Sequence, residues 1–163
     1  MAIVVTDASS AIYNFLKTDA AAATTRALVH DGAANVFESG DITPALLAEI
    51  VDDRRTTGAL TDILALDVED AGEDARVVGQ HHGMVRVRLY DRARGYRNLR
   101  SAREQLIEDL RDFNATLTDV DGNGRGLLEV RYAGRTGHRF DRAYALDWEA
   151  VQFETYVTIE EED

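Results

Sequence analysis

The sequence predicts an α+β fold: an antiparallel sheet with a long amphipathic helix, at about residues 95–117, packed on one face, and a short N-terminal helix. Apolar and polar residues alternate along 83–91 and again along 151–159, which is the period of half-buried strands. Between these segments, apolar residues recur every three or four positions, which is the period of a helix with one buried side. A helix lying across an antiparallel sheet buries both patterns together.

The first half of the chain predicts shorter elements. Residues 7–17 are expected to form a helix that Asp7 or Ser9 caps, because a short polar side chain there accepts a hydrogen bond from the first turn. Thr43 and Pro44 predict the start of another helix, which runs to about residue 52. The remaining elements expected in this half are a helix at 20–30, a short strand at 35–38 and a strand at 62–68.

The middle of the chain predicts a loop followed by a charged strand. Residues 69–83 contain three glycines among polar side chains, which is typical of an exposed loop. In the strand at 83–91, the side chains that alternate with the apolar ones are Arg86, Arg88 and Tyr90. This strand is therefore expected to have a basic, aromatic outer face.

The last part of the chain predicts the long helix and two more strands. The helix is defined by apolar residues at helical spacing, namely Tyr96, Leu99, Ala102, Leu106, Leu110, Phe113 and Leu117. Alternation at 128–132 and 151–159 predicts the strands. Because no linker or repeat interrupts the chain, residues 1–163 are expected to form a single domain. It would consist of an N-terminal helix and acidic connecting region at 1–82 and a strand–helix–strand core at 83–160.

The composition is that of a folded chain. Hydrophobic residues make up 45% of the 163 positions and charged residues 29%, which is a globular balance. There is no cysteine, which excludes disulfides, thiolate metal sites and cysteine nucleophiles. The first residues lack the pattern of a signal peptide, and no apolar run reaches the roughly 20 residues of a membrane span. We therefore expect a soluble protein made in the cytoplasm, with no membrane partner.

The charge is strongly acidic and unevenly distributed. The net charge is −12, and Lys17 is the single lysine among 18 basic residues. Such a surface is typical of proteins from salt-accumulating halophilic archaea, where high salt screens the repulsion between carboxylates. Residues 76–142 nevertheless carry 14 arginines and 9 acidic residues, whereas residues 143–163 carry 7 acidic residues and no basic one. The basic middle either pairs with the acidic ends on one surface or contacts another molecule.

The segment DVDGNGRGLLEV, residues 119–130, begins like a calcium-binding loop. Asp119, Asp121 and Asn123 occupy the first three ligand positions, but position twelve is Val130 where an EF-hand needs a glutamate. A strand, not the expected second helix, follows. The segment is therefore interpreted as a turn from helix to strand, and a shortened calcium loop stays open as the alternative.

No motif predicts catalysis, a cofactor or a metal site. Adjacent residues of a strand point to opposite faces, so His81 and His82 cannot easily share one ion, and neither His30 nor His138 has a recognisable ligand spacing with them. The sequence contains no nucleophile elbow, P-loop or dinucleotide fingerprint in the required context. The protein is expected not to be an enzyme.

Arginines and tyrosines are concentrated where the strand at 83–91 meets the long helix. Such a surface suits nucleic acid, through phosphate contacts and base stacking, but phosphate contacts weaken steeply at high salt. Arginine equally suits protein interfaces, where it pairs with carboxylates and stacks on aromatic rings. A protein interface is therefore favoured over nucleic-acid binding and over a plain solvated surface.

Four passages together resemble a known family. They are AIYNFLKTD near the N-terminus, GMVRVRLYDR, the helix GYRNLRSAREQLIEDLRD, and the terminal AVQFETYVTIEE. In this order they resemble the tail terminator, or tail completion, proteins of long-tailed viruses with siphovirus morphology. The best match covers residues 84–159, including RYAGRTGHRFDRAYALDWEAVQFETYVTI, whereas the first 75 residues match only in the opening helix. The acidic, lysine-poor composition indicates a virus of haloarchaea.

The resemblance implies a structural virion protein at the head–tail junction, assembled in the host cytoplasm. It implies a homo-oligomeric ring, generally a hexamer, that caps the tail tube, stops its polymerisation and joins the tail to the head connector. Its partners would be further copies of itself, the tail tube protein and the connector or neck protein, with DNA passing only through the lumen. No cofactor is implied.

A ring requires a heterologous interface, in which one surface meets a different surface of the next copy. We expect Arg86, Arg88, Tyr90 and Arg92 to belong to that interface. Two alternatives stay open at this point. One is a head-completion, adaptor or stopper protein of the neck, and the other is a small calcium- or ligand-binding cellular domain.

Overall fold

The fold is described from a computed structural model over residues 3–4, 8–57, 63–77, 80–91, 96–118, 125–142 and 146–160. These residues form four α-helices and eight strands. The helices are α1 (Ala8–Thr18), α2 (Ala23–Ala27), α3 (Pro44–Thr57) and α4 (Tyr96–Leu110), with short 3-10 turns at Ala20–Ala22 and Gly32–Asn35. The strands are β1 (Ile3–Val4), β2 (Val36–Glu38), β3 (Ala65–Val77), β4 (Gln80–Asp91), β5 (Asn114–Thr118), β6 (Arg125–Arg135), β7 (Arg139–Asp141) and β8 (Leu146–Glu160).

All eight strands of the described residues join one mixed sheet. Seven of them follow the order β1-β5-β6-β8-β4-β3-β2, and β7 pairs with β8 beside this path. The long inner strands β3, β4, β8 and β6 are antiparallel, as the sequence predicts. At the two edges the prediction is wrong, because β1 pairs with β5 and β2 pairs with β3 in parallel. The second of these pairs arises because α3 connects β2 to β3 as a crossover helix, which brings the two strands side by side in the same direction.

One face of the sheet is covered by α1 and α4. Ile12, Phe15 and Leu16 of α1 are buried, as are Leu99 and Leu106 of α4. They pack on the apolar side chains that point to this face from the inner strands: Leu66, Val68, Val85, Val87, Leu89, Leu128, Val130, Val151 and Phe153. The main core therefore lies between the two helices and the sheet, with the long helix packed as expected.

The long helix is shorter than its apolar spacing predicts. It ends at Leu110, and residues 114–118 form β5, which pairs with β6. Phe113 and Leu117 continue the helical period, and this continuation misled the prediction of a helix to residue 117. The threonines at 116 and 118 favour a strand, because a β-branched side chain loses freedom in a helix and packs well in a sheet.

Residues 69–77 and 80–83 belong to two paired strands and not to the predicted loop. Strands β3 and β4 pair from Ala65 opposite Tyr90 to Val77 opposite Gln80. The pairing shifts at two irregularities, of which the first is next to Gly72, whose φ of +126° favours glycine. Strand β4 also pairs with β8 along its whole length. These backbone pairings, and not an apolar pattern, hold the polar segment in the sheet.

A second, smaller core lies on the opposite face of the sheet. Ile42, which precedes α3, and Leu47 and Ile50 of α3 pack there. The Leu46 amide donates to the Thr43 hydroxyl at 3.2 Å, which confirms the predicted cap of this helix. The sheet and its adjoining residues contribute Leu64, Ala65, Tyr90, Leu146 and Trp148. Helix α3 thus covers only one end of this face. No helix among the described residues is long and apolar enough to cross a membrane.

Candidate functional site: the open face of the sheet

The part of the second sheet face that α3 does not cover is the candidate site, here called the open face. Successive side chains of a strand point to opposite faces, so the residues that alternate with those of the main core lie on the open face. Side chains that neighbour one another across the strands form rows on this face. The first three rows are Glu69–Arg86–Gln152, Asp67–Arg88–Ala150 and Met84–Glu154–Arg131. A fourth row consists of His82, Tyr156 and Glu129.

Arg86 and Arg88 converge on one carboxylate. The Oε2 atom of Glu69 lies 3.6 Å from Nη1 of Arg86 and 3.2 Å from Nη2 of Arg88. The guanidinium of Arg88 also lies over the ring of Trp148, at 4.9 Å from its centroid. The two arginine side chains are 28% and 27% exposed. They are therefore held against the sheet by charge and stacking, with their outer edges available to another molecule.

Tyr156 organises the other end of the open face. Its hydroxyl donates to Glu154 at 2.6 Å, and this hydrogen bond raises the pKa of Tyr156. Arg131 lies over the same ring at 5.1 Å, and His82 meets it edge-on at 4.6 Å. Both ends of the open face thus consist of an aromatic ring with an arginine stacked on it.

Asp67 is the most buried carboxyl of the open face. It is 4% exposed, and burial raises its pKa to about 6, against the opposing effect of Arg88. Its neighbours Glu69 and Asp41 raise the pKa further, because a second negative charge nearby disfavours ionisation. This carboxyl is therefore partly protonated near pH 6.

Several buried polar atoms of the open face have no hydrogen-bond partner among the described residues. They are Oδ1 of Asp67, Nε2 of His82, and Nε of Arg86 and Arg88. Oε2 of Glu69 also accepts no hydrogen bond, but it lies within ion-pair distance of both arginines. A buried polar atom without a partner costs about 1–3 kcal/mol, so native proteins rarely leave such atoms grouped together. A partner surface or bound water that supplies hydrogen bonds would remove this cost.

The structure brings together two of the four residues that the sequence predicts at an interface. Arg86 and Arg88 lie side by side on the open face. Tyr90 points to the same face, but it is 1% exposed beneath α3, so it belongs to the second core and not to the surface that one chain presents. Arg92 lies outside the described residues.

Sequence reasoning missed the aromatic partners and the acidic partner of these arginines. Trp148 precedes the predicted final strand, although β8 begins at Leu146. Glu69 falls in the segment that was predicted to be a loop. The alternation of Gln152, Glu154 and Tyr156 was the available signal, since it places these three side chains on one face.

Two other candidate sites have different outcomes. Asp119, Asp121 and Asn123, which open the calcium-like segment, lie outside the described residues. Among the residues that the structure describes, one group combines ligand atoms close enough to hold a metal, namely His30, Asp31 and Asp53. The sequence gives little sign of this group, because Asp53 is distant in the chain and its helix brings it to His30.

The sheet also has unpaired stretches at both outer edges. Within the described residues, β2 pairs with β3 only as far as Val68, and β5 pairs with β6 only as far as Glu129. Residues 69–77 of β3 and 130–135 of β6 therefore have one edge without a strand partner in this part of the chain. Such edges readily pair with another chain.

No protein-family model matches this sequence, and the search of curated proteins finds no significantly similar one. The functional assignment consequently depends on the open face and on the sequence itself.

Proposed function

We propose that this chain is a structural virion protein of the head–tail junction, similar to a tail terminator. It would form a ring that caps the tail tube, stops tube polymerisation and joins the tail to the head connector. The observation that carries the proposal is the open face, where half-buried arginines and aromatic rings lie beside buried polar atoms without hydrogen-bond partners. Such a surface suits a specific protein contact, since aromatic residues and arginine are the residue types enriched at interfaces.

The charge of the open face favours a protein partner over nucleic acid. Arg86, Arg88 and Arg131 alternate with acidic side chains, which are Asp67, Glu69, Glu129 and Glu154. A nucleic-acid surface needs an excess of positive charge to release counterions from phosphates. A surface with both signs instead selects the orientation of a protein neighbour through complementary charge. In the proposed ring, DNA passes through the lumen and does not bind this face.

The edges of the sheet support a ring in which each copy meets the next with a different surface. The unpaired stretches of β3 and β6 lie on opposite sides of the sheet, so they are two distinct surfaces of one chain. A heterologous contact between distinct surfaces generates a closed ring when the rotation between copies closes.

The function is tested by adding the protein to polymerising tail tube protein in molar potassium chloride. We expect shorter tubes, each with a ring at one end in electron micrographs. Control tubes receive the same protein with Arg86 and Arg88 both changed to Glu, and they should stay long because the ring interface is lost. Unchanged tube lengths with the native protein, together with no binding to tube protein, would refute a terminator role.

A neck adaptor or stopper would have a similar size and similar elements, and binding order distinguishes it. A terminator binds tube ends in the absence of heads, whereas an adaptor or stopper binds the connector of tail-free heads. A cellular calcium- or ligand-binding domain would instead stay monomeric and bind neither.

A further inference from the structure

The turn after α2 and the C-terminal half of α3 bring together three potential metal ligands. His30 lies in the turn, Asp31 follows it, and Asp53 projects from α3. Nε2 of His30 is 2.6 Å from Oδ2 of Asp53 and 3.8 Å from Oδ2 of Asp31. One ligand atom of each residue lies within 4.8 Å of the others. This group is separate from the open face, and its function is independent of the proposed ring.

The imidazole of His30 is fixed before any ligand arrives. The His30 side chain is 4% exposed, and its backbone is held on both sides. Its amide donates to the Ile63 carbonyl at 2.8 Å, and its carbonyl accepts from the side-chain amide of Asn35. The ring is therefore buried, with its Nε2 directed at the two carboxylates. A metal would find one ligand already positioned, which lowers the ordering cost of binding.

The two carboxylates can adjust around that nitrogen. The side chains of Asp31 and Asp53 are 61% and 50% exposed, so small rotations bring their oxygens to coordination distance. Asp31 has a φ of +57°, a conformation that Asp tolerates better than most residues, and this conformation turns the chain directly after His30. Three protein ligands, two of them exposed, leave coordination positions for water, as in metal sites with an open coordination sphere.

The charges of the group are not balanced by other described residues. No Lys or Arg of the described ranges forms an ion pair with Asp31 or Asp53, and the neighbouring Arg54 pairs with Asp91. The Nε2 position of a neutral imidazole can donate one hydrogen bond, which serves one carboxylate at a time. Two carboxylates directed at one nitrogen are better satisfied by a dication that binds all three.

We propose that His30, Asp31 and Asp53 bind one divalent transition-metal ion of the Zn²⁺ or Mn²⁺ class. Imidazole nitrogen suits Zn²⁺ and carboxylate oxygen suits Mn²⁺, so ions of this class match the mixed set of ligands. Mg²⁺ and Ca²⁺ prefer oxygen ligands alone and are excluded by the buried nitrogen. The ion links the turn after α2 to α3 and so stabilises the end of the fold where the second core lies.

Calorimetric titration of the full chain with Zn²⁺, in molar potassium chloride, tests the site. The native protein should bind one ion in this site, and Co²⁺ in its place should give visible absorption bands that report the coordination. Asp31→Asn and Asp53→Asn should each weaken binding by about tenfold or more, which is the scale of loss when the support of a metal site is damaged. Asparagine also tolerates the backbone conformation of residue 31, so Asp31→Asn is expected to fold normally.

Asp52→Asn is the matched control, because it removes an exposed carboxylate from the same helix outside the group. Its binding should equal that of the native protein. Absence of binding would overturn the proposal and leave His30 and Asp53 as a hydrogen-bonded pair. Binding that is unchanged in both Asp31→Asn and Asp53→Asn would also overturn it, since the ion would then sit elsewhere. The oligomeric mass, measured on the same samples, reports on the ring separately.

Discussion

The two faces of the inner sheet are formed by alternate residues of the same strands, and they differ in what they contribute. On the covered face, Val85, Val87 and Leu89 pack beneath α4, and their burial stabilises the chain. On the open face, Arg86 and Arg88 lie between them and pair with Glu69. The two-residue period of a strand thus places apolar residues on one face and charged residues on the other, and we propose that the charged face is the one that binds a partner. Changes on the first face should unfold the protein, whereas changes on the second should alter what it binds.

A buried ion pair on the covered face sharpens this contrast. Nη1 of Arg103, on α4, lies 2.7 Å from Oε2 of Glu149, on β8, and both side chains are almost fully buried. Arg135 is more distant from the same carboxylate, at 3.8 Å. Arg103 is thus almost fully buried between a helix and the sheet, whereas the arginines of the open face are about a quarter exposed.

The largest effect is expected from Arg103→Ala. It leaves the Glu149 carboxylate buried with only the distant Arg135, and removing one partner of a buried pair costs about 3–5 kcal/mol. Chemical denaturation should show this loss in the free energy of unfolding. Arg100→Ala is the matched control, because Arg100 is exposed on the same helix and its pair with Glu104 contributes at most about 1 kcal/mol. Equal losses in the two variants would contradict the distinction between buried and surface pairs.

A smaller effect is expected from Leu106→Ala, on the covered face. Leu106 is fully buried between α4 and the sheet, and truncation of such a leucine costs about 2–5 kcal/mol through lost burial and the resulting cavity. Leu127→Ala removes the same atoms from the open-face side of β6, where the leucine is 45% exposed. Its unfolding free energy should change far less in the same denaturation experiment. A comparable cost for both leucines would mean that the two faces do not differ as described.

The third prediction concerns the buried carboxyl of the open face. The folded-state pKa of Asp67, about 6, is above the ordinary value of 3.8, so between these values the folded state binds more protons than the unfolded state. The contribution of this group to stability is therefore complete below about pH 4 and is lost as pH rises towards 6. The loss amounts to at most about 3 kcal/mol.

Asp67→Asn removes the titrating group, so the free energy of unfolding of the variant should lack the fall that this group causes between about pH 4 and pH 6. At pH 7 the variant should be the more stable protein in thermal or chemical denaturation, because the folded state no longer buries a charge. Asp70→Asn, on the exposed continuation of β3, should leave the profile unchanged. If the difference in stability between the native protein and Asp67→Asn does not change between pH 4 and 6, Asp67 is not a buried titrating group.

The sequence predicts local elements well and distant pairings poorly. The strand at 83–91 and the final strand at 151–159 are confirmed, because alternation records which residues are buried. The predicted helix continues beyond Leu110 because Phe113 and Leu117 keep the helical spacing. In the structure, Phe113 precedes β5 and Leu117 lies within it. The local sequence predicts a loop at 69–83 because the pairing of β4 with β8, which holds this segment in the sheet, depends on residues far away in the chain.

The same limit applies to the sites. Alternation alone predicts that Arg86 and Arg88 share a face, which the structure confirms. It does not predict that α3 covers Tyr90, because the helix and the strand are separated in the chain. Nor does it predict that His30 meets Asp53, since their proximity depends on how α3 packs against the turn after α2.

The central claim, that the open face joins copies of this chain, is tested most directly by the oligomeric mass in molar potassium chloride. The native protein should have a mass several times the 18.0 kDa of one chain. The variant Arg86→Glu/Arg88→Glu should shift towards the mass of one chain while its circular dichroism stays that of the folded protein. Arg100→Glu/Arg111→Glu, which places the same charges on exposed positions at and beyond α4, should assemble normally. A native protein that is strictly monomeric, or an open-face variant that assembles like the native protein, would contradict the claim.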